Sequence, residues 1–137
     1  MVRAIFTAQR DSGGTTGRGT AFKLAPDGTE TVLHSFCPKT NPCPDGEFPQ
    51  AGLKIDSAGN LYGTTVFGGN GAGSNGGGVL FKITPDNSET VLYSFCSRAN
   101  CSDGSWPGPI TLNSAGYIYG VTRFGGVDCD GSHLIST

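Results

Sequence analysis

Four of the five cysteines stand in matched pairs, Cys37 with Cys43 and Cys96 with Cys101, and an Asp-Gly follows each pair at Asp45-Gly46 and Asp103-Gly104. Thiols spaced this way can close a small disulfide ring or supply half of a zinc site. Zinc needs four ligands at about 2.3 Å from sulfur, whereas equivalent points on neighbouring stacked sheets lie about 10 Å apart. Intra-loop disulfides are therefore favoured, with zinc and reduced thiols as the alternatives. Each bridge would contribute roughly 2 kcal/mol by restricting the unfolded chain, and the pairing implies an oxidising compartment. Cys129 has no counterpart and is either a free thiol or the partner of a cysteine this chain lacks.

Phe48 and Trp106 follow the stapled loops and precede Pro49 and Pro107 at matching places, and Phe67 and Phe124 precede paired glycines. The simpler expectation for all four is packing in the core or between blades. A sharper expectation is that Phe48 and Trp106, carried next to rigid loops, form an aromatic platform for a sugar or peptide. No set of residues has the pattern of a catalyst. His34 occupies the place taken by Tyr93 in the second half, so an imidazole is not required there, and neither it nor His133 repeats with a nucleophile and an orienting acid. Asp45, Glu47 and Asp56 supply carboxylates of the kind glycosidases pair, but nothing in the sequence fixes their separation.

Asp128-Cys129-Asp130-Gly131 lacks the oxygen series a calcium loop needs. The run from Gly68 to Gly78 lacks the Lys-Ser/Thr and following helix of a phosphate cradle, and reads as a connecting loop. The expectation is thus no catalytic residue, no metal site and no cofactor.

These residues are positioned by a repeat. Asp56-Ser57-Ala58-Gly59-Asn60-Leu61-Tyr62-Gly63-Thr64-Thr65-Val66-Phe67-Gly68-Gly69 returns as Asn113-Ser114-Ala115-Gly116-Tyr117-Ile118-Tyr119-Gly120-Val121-Thr122-Arg123-Phe124-Gly125-Gly126. Aligning Gly19–Gly69 with Gly78–Gly126 gives 26 identities in 49 pairs, beyond chance. The organisation read from it is a partial unit at 1–18, a first unit at 19–77, a second at 78–126 up to its closing Gly-Gly, and the start of another at 127–137.

Within each unit apolar residues alternate, as in half-buried strands. Phe22 and Leu24, then Thr31–Phe36, flank a Pro26-Asp27-Gly28 turn, and Phe81 and Ile83, then Thr90–Phe95, flank Pro85-Asp86-Asn87. After the cysteine loop come Leu53–Ile55 or Ile110–Leu112 and then the strand after Ser-Ala-Gly. No window sustains helical spacing. The fold class predicted is all-β: tandem four-stranded antiparallel blades, each of two consecutive hairpins, arranged like an incomplete β-propeller ring.

Bulk properties narrow the partners. A formal charge of −2 with 15% charged residues offers no basic stripe for nucleic acid. No run approaches a membrane span, and the first ten residues lack the apolar core of a secretory signal.

The ordered motifs Gly19-x-x-Phe22-Lys23, Val32-Leu33-His34-Ser35-Phe36, Asp45-Gly46-x-x-Pro49 and Leu61-Tyr62-Gly63-Thr64-Thr65-x-x-Gly68-Gly69, each echoed in the second unit, resemble the GloVer (Gloeobacter/Verrucomicrobium) repeat. The second unit departs from the pattern at Tyr117 and Val121, where the first has Asn60 and Thr64. The resemblance implies a bacterial, extracellular or surface-exposed tandem-repeat protein, and it implies no reaction. The expectation is a non-enzymatic module with a structural, adhesive or ligand-binding role, part of a longer repeat array or self-associating, with a glycan or protein ligand. The alternative is a propeller portion of a secreted carbohydrate-active enzyme.

Overall fold

The computed structural model describes residues 14–38, 43–71, 75–126 and the backbone of a strand at 134–136. Cys129, His133, the Asp128–Gly131 run and most of the partial first unit lie outside the described residues.

The strands are β1 (Thr20–Leu24), β2 (Glu30–Ser35), β3 (Glu47–Pro49), β4 (Lys54–Ile55), β5 (Leu61–Phe67), β6 (Val79–Ile83), β7 (Glu89–Ser94), β8 (Ser105–Leu112), β9 (Ile118–Phe124) and β10 (Leu134–Ser136). A single 3₁₀ turn at Ala99–Cys101 is the only helical element among the described residues. The chain is all-β, and every pairing is antiparallel.

The turns form where the sequence places them. Asp27 accepts the Thr29 amide at 2.9 Å, and Gly28 takes the positive φ of +89° that the β1–β2 turn requires. In the β6–β7 turn Asn87 tolerates φ +66°. Asp56 accepts the amides of Ala58 and Asn60, both at 2.9 Å, and so fixes the tight turn into β5.

Strand pairing differs from the expectation that both hairpins of a unit form one sheet. β1 and β2 form a two-stranded sheet, β3 and β4 pair with β5, which continues to β6 and β7, and β8, β9 and β10 form the last sheet. The central sheet therefore joins the second hairpin of one unit to the first hairpin of the next. Two connections cause this. The stapled loop after β2 carries the chain to another layer, whereas the glycine run after β5 folds back on itself. There the Gly68 amide donates to Asn75 O at 2.7 Å and the Gly78 amide to Gly68 O at 3.1 Å. Glu47–Pro49, to which the sequence pattern assigns no strand, is a short strand against β5, with Glu47 opposite Phe67 and Pro49 opposite Thr65.

The sheets stack through two cores. In the first, Ala21 and Phe36 of the β1–β2 sheet meet Leu53, Leu61, Val79, Phe81 and Ile83 of the central sheet. Phe36 and Phe81 touch edge to face at 4.9 Å. In the second, Leu80 and Phe95, on the opposite side of the central sheet, meet Ile110 and Ile118. Period-two alternation along β6 sends Val79 and Phe81 one way and Leu80 the other. Each core uses the same sequence positions one unit later.

Candidate functional site

The site is built outward from the stapled loops. Both disulfides are formed, Cys37–Cys43 with Cα atoms 4.7 Å apart and Cys96–Cys101 with Cα atoms 4.0 Å apart. Each ring is closed from inside by its aspartate. The Asp45 carboxylate accepts the Cys37 amide at 3.1 Å and faces His34 Nε2 at 2.9 Å. Asp103 accepts the Ser97 amide at 3.0 Å, the Arg98 amide at 3.2 Å and the Tyr93 hydroxyl at 2.7 Å.

Burial alone would raise the Asp103 pKa, but the hydrogen bonds from Tyr93, Ser97 and Arg98 outweigh it and hold the carboxyl below its ordinary range. His34 and Tyr93 thus do one job with different donors, which explains why the imidazole is replaceable. His34 packs edge to face on Phe36 at 4.7 Å between centroids and also anchors the loop.

The glycines after each aspartate and each Phe let two loops touch through their backbones. A Cβ on Gly68 would come within 2.6 Å of Gly46 Cα and 2.7 Å of Cys43 O, while the Gly69 amide donates to that same carbonyl at 2.8 Å. The stapled loop and the end of β5 are clamped together, and the aromatic residues on either side are fixed with them.

Phe48 and Trp106 adopt φ +55° and +57°, a left-handed backbone rare for bulky side chains. Such strain costs about 1–3 kcal/mol per residue and persists where neighbours over-determine it. Here the neighbour is the preceding layer: the Phe48 amide donates to Arg18 O at 2.8 Å and the Trp106 amide to Gly77 O at 2.9 Å. The kink turns each ring out of its sheet. The result is a continuous edge-to-face ladder, Phe48 to Phe67 at 6.1 Å, Phe67 to Trp106 at 5.0 Å and Trp106 to Phe124 at 4.9 Å between centroids.

Guanidinium groups cover both ends. Arg18 lies 5.4 Å from the Phe48 centroid, and Arg123 lies 5.8 Å from Trp106 and 5.5 Å from Phe124. Between the layers the ladder opens into a cleft of about 610 Å³, with Phe48, Gln50, Phe67, Trp106 and Arg123 in its walls. That volume suits a small ligand or a short stretch of polymer.

Phe48 and Trp106, equivalent residues one unit apart, therefore share one cleft. Phe67, read as packing, is the bridge between them. Gln50 and Arg123 escaped the sequence reading because they occur in one unit only. Arg123 left a signal, since it places a charge where the other unit has apolar Val66.

The carboxylates considered for glycosidase chemistry are occupied elsewhere. Glu47 is buried and pairs with Arg18 at 2.8 Å, Asp45 caps its loop, and Asp56 holds its turn; none of them lines the cleft. Donor atoms of Cys37, Cys43 and Glu47 lie within 4.8 Å of one another, but the disulfide and the Arg18 ion pair engage all three.

Glu89, unremarked in the sequence, has its carboxyl raised from 4.5 to about 7. Burial is the main cause, with His34 opposing and Asp45 adding to the shift. Among the described residues its buried Oε1 has no hydrogen-bond partner.

Stacked antiparallel sheets that repeat the same contacts every unit define a tandem-repeat protein. The family model of the Gloeobacter/Verrucomicrobia repeat matches residues 6–133, and the chain belongs to that family. Neither the curated proteins nor the solved structures contain a match to it. Among the described residues no helix is long and apolar enough to cross a membrane.

Proposed function

We propose that the chain is a non-enzymatic extracellular repeat module that binds a ligand in the aromatic cleft between its layers. The single observation carrying this reading is the bridging of Phe48 and Trp106 by Phe67, which turns two equivalent positions into one concave aromatic wall. Two further features support it. The wall stands on strained backbone at both positions, as binding sites often do, and the stapled loops behind it suit an oxidising environment outside the cell. In this reading the sheets follow one another in propeller fashion, and adhesion comes from repeating the cleft along an array.

The test is retention on immobilised polysaccharides. Wild-type chain is expected to be retained on at least one glycan, and Phe67→Ala to lose retention while keeping its far-UV spectrum and melting transition. A folded Phe67→Ala chain that binds as well as wild type would overturn the proposal.

A second reading, a carbohydrate-active enzyme, draws on the raised carboxyl of Glu89, since general acids of this kind titrate near neutrality. Glu89 is not among the residues of the cleft, so binding is preferred. Sugar release that disappears with Glu89→Gln would reverse that preference.

A further inference from the structure

We infer that the ligand of this cleft is an acidic polysaccharide, a polymer of uronic acid sugars, with Arg123 as the residue that selects its carboxylate; this rests on the cleft being the binding site. The two cations of the ladder differ in their partners. Arg18, at the Phe48 end, is neutralised by Glu47 at 2.8 Å. At the other end Ser105 stands where Glu47 stands in the first unit, and no carboxylate pairs with Arg123 among the described residues. Arg123 is exposed, lines the cleft and is steadied over two rings.

A guanidinium steadied beside aromatic rings by cation–π attraction still presents a fork of donors, which suits a planar carboxylate. Aromatic walls fit the apolar faces of sugar rings, and the Gln50 amide offers both a donor and an acceptor for hydroxyls.

A peptide ligand fits less well. Strand addition needs open edge amides, and at Phe48 and Trp106 the amides are already donated to Arg18 O and Gly77 O.

The experiment is calorimetric titration of the wild-type chain, Arg123→Gln and Phe67→Ala with oligogalacturonate, with its methyl ester, and with an acidic peptide. The expected result has three parts. The acid oligomer binds wild type at least about tenfold more tightly than its ester, as one charge-assisted hydrogen bond allows. Arg123→Gln removes that preference and leaves weak ester binding unchanged. Added salt weakens only the acid form.

Equal binding of acid and ester by wild type, lost in Phe67→Ala, would sink the uronate inference and leave the cleft standing. Binding of either sugar undiminished in Phe67→Ala would remove the cleft as the site. Tighter binding of the acidic peptide than of the sugar would overturn the inference in favour of a protein ligand.

Discussion

β5 and β9 are the same strand one unit apart, yet one is covered and the other bare. On the face of β5 that carries Tyr62, Thr64 and Val66, Thr64 is 2% exposed and donates to Gly108 O of the next layer at 2.9 Å. On the matching face of β9, Val121 is 47% exposed and Tyr119 40%. The strands are equally regular, and each tyrosine hydroxyl still meets its turn residue: Tyr62 donates to Asp56 at 3.1 Å, and Tyr119 accepts from Asn113 at 3.3 Å. Burial in this molecule is thus a property of the neighbouring layer, not of the strand.

The largest difference between equivalent positions is expected in the cores. Phe81 is fully buried between two layers, whereas Phe22, its equivalent, is only partly covered. Phe81→Ala is expected to cost about 3–5 kcal/mol in urea unfolding, and Phe22→Ala well under half of that. Equal losses would mean that the layers do not stack in this way.

A middle-sized effect separates the two strands directly. Thr64→Val removes the hydrogen bond to Gly108 and should cost about 1 kcal/mol, while Val121→Thr on the bare face should stay within about 0.5 kcal/mol. The reciprocal change sharpens the same point: Val121→Asp should lower any concentration-dependent association seen by light scattering without lowering the melting temperature.

The remaining effect is electrostatic and appears only as pH is varied. A Glu89 carboxyl raised above its unfolded value binds a proton more tightly when folded, so its contribution is fully present below about pH 4.5 and is lost as pH climbs to about 7. Glu89→Gln should flatten stability across that window. Asp103 works in the opposite direction, because its lowered pKa makes its contribution fade as pH falls below the ordinary carboxylate range.

Much of this architecture was legible because it is local. Alternation gave the strands, Pro26-Asp27-Gly28 and Ser57-Ala58-Gly59 gave the turns, and the six- and five-residue spacing of the cysteines gave the two staples. Which hairpins share a sheet was not legible, since that depends on where the loops from Cys37 to Gly46 and from Gly68 to Gly78 lead the chain. The repeat itself marks no boundary, because any cut through a periodic sequence looks alike.

The cleft was half visible. Phe48 and Trp106 stood out by equivalence, but their positive φ arises from amides donated to another layer, a contact no strand pattern encodes. Phe67 looked like one more core aromatic. Glu89 was silent because its raised carboxyl comes first from burial and then from Asp45, against the opposing pull of His34, and neither neighbour is near it in sequence.

Trp106 is the only tryptophan in the chain, so its fluorescence reports on the cleft and nothing else. The most direct measurement is therefore a titration of Trp106 emission with oligogalacturonate. A saturable change in intensity or wavelength is expected, at concentrations matching retention on the immobilised glycan and absent in Phe67→Ala. Emission that stays constant while the chain is demonstrably bound would show that the aromatic cleft is not where this protein meets its ligand.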